Sequence, residues 1–105
     1  MQIKNVFENI LIDKSKEEFF EILKNDNIRI ERIVSNGQSS PKDFWYDQEE
    51  SEFVLLLEGS AIIEFEEKQV KLEKGDYLDI KANMKHRVEY TSQEESTIWL
   101  AIFYK

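Results

Sequence analysis

The sequence predicts a mostly β domain, a sandwich or barrel of short strands with one short helix near its start. Three observations carry this. From Ser39 onward every apolar stretch is short, rich in β-branched and aromatic residues, and bounded by turn formers. A single segment has the spacing of a capped helix. The chain's 105 residues, 41% hydrophobic and 12% aromatic, are enough for one packed core and too few for two.

The helix is expected over about 15–24. Ser15-Lys16-Glu17-Glu18 has capping-box spacing, Phe19, Phe20 and Leu23 follow at helical intervals, and Asn25-Asp26-Asn27 ends the pattern. Ile28, Ile30, Glu31, Ile33 and Val34 then read as an extended segment running into the turn Ser35-Asn36-Gly37. Strands are expected at 52–57, 61–66, 69–73, 76–80, 86–91 and 97–104. The domain therefore divides into a helix and strand over 1–36 and the barrel proper over 37–105. The segments 52–57 and 97–104 are apolar on both parities, which requires cover on both faces. One face would look into the barrel, and the helix or a second copy of the chain would cover the other, so a homodimer is expected.

Composition removes several function classes. Lys plus Arg total 14 against 22 Asp plus Glu, a net charge of -8, so neither nucleic acid nor an anionic membrane is expected as a partner. The chain has no Cys, which excludes disulfide scaffolds, thiolate metal clusters and cysteine nucleophiles and makes a cytoplasmic location the expectation. Met1 to Asn5 form no apolar signal-peptide core, and the longest apolar run, Ile98 to Tyr104, is too short to span a bilayer.

Two spaced patterns stand out. Glu52 precedes Gly59 by six intervening residues, and Gly75 is followed by Lys81, Asn83 and His86 in the spacing G-x5-K-x-N-x2-H, with fifteen residues between the two glycines. These residues resemble the two-part motif of the cupins, G-x5-H-x-H-x3-or-4-E-x6-G and G-x5-P-x-G-x2-H-x3-N. The resemblance covers 37–105 and is closest to small single-domain bacterial cupins of the cupin-2 type, a subgroup with no established activity. Those proteins share stretches like Ser40-Pro41-Lys42-Asp43-Phe44-Trp45-Tyr46-Asp47-Gln48 and Trp99-Leu100-Ala101. The fold it implies is a double-stranded β-helix, or jelly-roll, barrel with the two motif strands side by side.

The resemblance places Glu52 on the family's glutamate ligand and His86 on its second-motif histidine. The two first-motif histidines are missing: a three-residue gap puts Tyr46 and Gln48 in their places, a four-residue gap Trp45 and Asp47. Side chains alternate along a strand, so Tyr46 and Gln48 share the face of Glu52, while Asp47 joins them only if a bulge intervenes. Gln48, Glu52 and His86 are therefore the expected metal set, with Tyr46 and Asp47 as pocket residues. Asn83 replaces a motif glycine and can still adopt the left-handed conformation that such a turn wants.

One imidazole, one carboxylate and one amide oxygen suit a borderline divalent ion such as Fe(II), Mn, Ni or Zn. The competing arrangement is His86 hydrogen-bonded to Glu52, a pair that satisfies both groups without an ion. The aromatic run Phe44-Trp45-Tyr46 reads either as a barrel rim that stacks on a planar or sugar-like ligand or as ordinary packing. Two functions follow: a small-molecule-binding cupin with or without a divalent metal, acting as enzyme or ligand sensor, and a metal-free binding or assembly module. Family chemistry would be dioxygenase, isomerase or decarboxylase, and the missing histidines argue against the first.

Overall fold

The computed structural model describes residues 1–105. It contains eight strands: β1 (Glu18–Lys24), β2 (Ile28–Ser35), β3 (Ser51–Glu58), β4 (Ser60–Phe65), β5 (Gln69–Glu73), β6 (Tyr77–Ile80), β7 (His86–Thr91) and β8 (Thr97–Tyr104). They form an antiparallel five-stranded sheet in the order β1-β2-β8-β3-β6 and a three-stranded sheet in the order β5-β4-β7. The six strands expected after Ser39 are all present, and the mostly β two-sheet architecture stands. No helix is long and apolar enough to cross a membrane.

Alternation builds the core. In β4, Ala61, Ile63 and Phe65 turn inward, and in β8 Trp99, Ala101 and Phe103 do the same. With Val54, Leu56, Leu72 and Ile80 they pack into one cluster between the sheets. The chain crosses from the large sheet to the small one at Gly59, the single residue between β3 and β4. Its φ is +88°, and a Cβ there would lie 2.6 Å from Thr97 Cα and 2.8 Å from Ser96 O. Only glycine fits such a crossing. The return crossing at Gly75 has φ +89° but open space around it, and its N–H donates to Leu56 O at 2.7 Å.

The expected N-terminal helix is not formed. Residues Glu18–Lys24 are instead β1, paired with β2 from Glu18↔Val34 to Lys24↔Arg29. Asn25-Asp26-Asn27, read as a helix breaker, is the hairpin turn. Asn25 Oδ1 accepts the N–H groups of Asn27 and Ile28, both at 3.0 Å, and Asn25 N–H donates to Ile28 O at 2.9 Å. The capping box is dismantled as well: Ser15 bonds to Asp13 Oδ1, and Glu18 pairs with Arg32. A ten-residue helix would have had to offset its nucleation cost through one apolar face, whereas the hairpin adds a ladder to a strand already in place.

The outer face of the large sheet is instead met by an irregular N-terminal arm. Arg32, 3% exposed, donates through Nη1 to Val6 O at 3.1 Å and Glu8 O at 2.7 Å. Its Nη2 meets Glu18 Oε1 at 2.6 Å, and its guanidinium lies 4.9 Å from the Phe20 ring centroid. The cover is partial, for Leu100, Ile102 and Tyr104 remain half-buried and β1 is open to solvent on both faces.

The two glycine crossings make a paired prediction. Gly75→Ala incurs only the left-handed backbone penalty, about 1–2 kcal/mol. Gly59→Ala adds a collision with backbone atoms and should cost clearly more. Urea melts of the two variants check this, and a larger loss at Gly75 would contradict the geometry.

Candidate functional site

A cavity of about 160 Å³ lies between the two sheets. The large sheet lends it Glu31, Glu52, Trp99 and Phe103, and the small sheet His86 and Val88. The segment before β3 adds Ser40, Tyr46 and Gln48. That segment is pinned to β7. Ser40 N–H donates to Val88 O at 2.7 Å, Arg87 donates to Ser40 O at 3.0 Å, and Tyr46 and His86 form a two-bond bridge of 2.7 and 3.1 Å. Asn83, left-handed at φ +63°, donates its N–H to Gln48 O at 2.8 Å, so the second-motif turn also holds Gln48.

Glu52 comes from β3 of the large sheet and His86 from β7 of the small one, so the motif strands face each other across the cavity rather than lying side by side. His86 is 4% exposed. Its Nε2 is 3.4 Å from Glu52 Oε1, the same oxygen that accepts Gln48 Nε2–H at 3.2 Å. Its Nδ1 lies 3.0 Å from Met84 O, and since a carbonyl can only accept, Nδ1 carries the hydrogen. Burial pulls the imidazole pKa down, but the hydrogen bonds to Glu52 and Met84 and the Glu52 charge outweigh it, and the net shift is upward from 6.5. Tyr46 stacks on His86 with ring centroids 5.5 Å apart, and Phe44 meets Tyr46 edge-on at 4.9 Å. The Tyr46 phenol is pushed up by burial first and by Glu17 and Glu52 next.

Of the residues singled out in the sequence, Tyr46, Gln48, Glu52 and His86 line this one cavity, and Asp47 does not. Asp47 is exposed, because residues 47–50 form no strand and no bulge turns it inward. Trp45 is likewise absent from the lining. Sequence reasoning missed Glu17, Phe19, Glu31, Trp99 and Phe103. Alternation along β2 and β8 could have found three of them, whereas Glu17 and Phe19 were hidden by the expected helix.

As a metal set the residues are short. No three His, Cys, Asp or Glu side chains converge anywhere in the chain. Gln48, Glu52 and His86 bring one charge and one nitrogen, a donor set that fits a weakly held ion.

Fold and site together define a two-sheet β-barrel with a cavity between its sheets. A cupin-domain family model matches residues 31–103, and the chain belongs to the cupin family. It is similar to a Ralstonia eutropha JMP134 protein described as a candidate mannose-6-phosphate isomerase, at 37% identity and TM-score 0.95 over 100% of this chain and 99% of the other. A cupin superfamily protein from Desulfitobacterium hafniense DCB-2 shares the fold at 19% identity and TM-score 0.77, over 90% of this chain and 83% of its own. A Thermus thermophilus protein does so at 17% identity and TM-score 0.82, over 99% of this chain and 97% of its own. Comparison with curated proteins gives no match.

Because His86 is the only histidine, its titration is directly visible. A folded pKa above the unfolded 6.5 means that the native state holds the proton more tightly. The resulting stabilisation is complete below about pH 6.5 and is lost as pH rises through the folded value. The Cε1 proton should titrate above 6.5 in wild type and below it in Glu52→Gln, where burial is no longer opposed by the carboxylate. A wild-type midpoint at or below 6.5 would contradict the pairing.

Proposed function

We propose that this chain is a small cupin that binds a small molecule in the cavity between its sheets, where Tyr46, Glu52 and His86 are the polar groups that meet the ligand. The observation that carries the reading is their convergence within apolar walls built by Val54, Ile63, Ile80 and Val88. A buried imidazole beside a carboxylate can give or take a proton, which suits an isomerase-type proton shift. The Ralstonia relative's description makes isomerisation one candidate activity for this chain, and ligand sensing without turnover is the other. The cysteine-free, acidic sequence agrees with a cytoplasmic setting.

A divalent metal (Fe, Mn, Ni or Zn) is a second reading, favoured by one observation: Met84 O fixes the Nδ1–H tautomer and leaves Nε2 facing Glu52, the way a metal-binding histidine is oriented. Gln48, Glu52 and His86 would hold the ion, which would supply Lewis-acid chemistry there.

We also infer that the chain pairs with a second copy of itself through β1. This edge strand exposes Phe19, Phe20, Ile22 and Leu23, and the arm before it exposes Ile3, Leu11 and Ile12. An identical edge offers both the missing hydrogen bonds and a matching apolar surface.

Three measurements test these readings. In a thermal-shift screen of small metabolites, a ligand at a hundred times its Kd adds about 2.7 kcal/mol. For a domain of this size that raises Tm by about 10 °C, and the response should disappear in Tyr46→Ala; a screen without any such ligand counts against the site. For the metal, elemental analysis after reconstitution with Fe(II), Mn, Ni and Zn should show content that collapses in His86→Ala, and equal content in both proteins refutes the ligand assignment. Light scattering should give twice the 12.6 kDa chain mass for wild type and a single-chain mass for Leu23→Glu.

A further inference from the structure

We propose that the cavity is built for a small organic cation, an ammonium group on an apolar body, and not for a phosphorylated sugar. The proposal rests on the small-molecule reading of this cavity and names the class of ligand it takes.

Charge is the first ground. Glu17, Glu31 and Glu52 all line the cavity, and no Lys or Arg does. Arg29, which lies 4.1 Å from the Phe103 ring centroid, is already engaged by Glu31 at 3.2 Å and Glu50 at 3.4 Å. Glu52 is met by His86 and Gln48. Glu17 has only a neutral partner: Ser35 Oγ donates to its Oε2 at 2.6 Å. The cavity therefore holds one carboxylate that no cation answers. After burial, the charge of Glu17 also pushes the Tyr46 phenol up. A phosphate dianion entering here would meet carboxylates with neither a Lys or Arg side chain nor a helix N-terminus to receive it.

The walls supply the second ground. Phe19, Tyr46, Trp99 and Phe103 all line the same space, and aromatic rings attract ammonium groups most strongly where water is excluded. Trp99 and Phe103 are 5% and 8% exposed. Trp99 Nε1–H donates at 3.3 Å to Ser35 Oγ, the hydroxyl that donates to Glu17, so the indole and the unanswered carboxylate are held by one chain of hydrogen bonds. A neutral polyol would use the rings and leave that charge uncompensated, whereas an ammonium ion uses both.

Isothermal titration calorimetry with three probes tests this: choline, its uncharged isostere 3,3-dimethylbutan-1-ol, and mannose 6-phosphate. Choline should bind at least about tenfold more tightly than the isostere, and mannose 6-phosphate should not bind. Glu17→Gln should cost choline about tenfold and leave the isostere unchanged. Glu67→Gln, which removes the same charge from an exposed hairpin, should leave choline binding as it is. Binding of the isostere or of mannose 6-phosphate as tightly as choline, or equal losses in the two variants, overturns the cation assignment while the cavity remains a small-molecule site. Failure of choline to bind the folded protein overturns the cation assignment, and the small-molecule reading falls with it only when the metabolite screen also finds no ligand.

Discussion

The contact between Glu52 and His86 is the constraint around which the rest of the site is arranged. It brings a carboxylate from one sheet against an imidazole from the other, both largely out of water, at 3.4 Å. Neither group tolerates burial alone, since a desolvated charge without a partner costs several kcal/mol. The sheets must therefore hold a fixed separation at this point. The two-bond bridge between Tyr46 and His86 fixes the His86 backbone, and Met84 O at 3.0 Å together with the stacked Tyr46 ring keeps the imidazole from swinging away.

Much of the barrel was legible because the strands after Ser39 obey local rules that tertiary contacts reinforce. Short β-branched runs between turn formers became β3 to β8. The N-terminal part was misread because Phe19, Phe20 and Leu23 satisfy a helical interval and a strand equally well over so few residues, and the long-range ladder with β2 decided the matter. Asn25-Asp26-Asn27 carried the right signal, a chain reversal, but the elements it joins could not be read from it. Glu52 and His86 were placed by their distances from glycines whose backbone geometry is fixed. Tyr46 and Gln48 reached the cavity without the continuous strand that parity assumed, through the Tyr46–His86 bridge and the bond from Asn83 to Gln48 O. Asp47 shows the converse, since nothing in that stretch turns it inward. Glu31 shares the inward parity of β2 with Ile33, whereas Glu17 was out of reach because the expected helix concealed where the chain before β1 runs.

The strand that sequence reading lost borders the cavity and is also the proposed pairing edge. Phe19 lines the cavity and yet stands 61% exposed on β1, the strand whose edge a second copy would cover. Anything that packs along β1 would change how much water reaches Phe19 and Glu17. The polarity of the cavity and the burial of its outermost strand are physically coupled, because an aromatic face and a carboxylate both interact more strongly in a drier setting.

Arg32 fastens the first residues of the chain by their main-chain oxygens, at Val6 and Glu8, and by no side chain of that segment before Glu18. A guanidinium that reads carbonyls is indifferent to which residues bear them. Selection acting on the arm's position would thus fall on Arg32 and Glu18, and positions 6 and 8 could drift freely between related chains while the path of the backbone stayed the same.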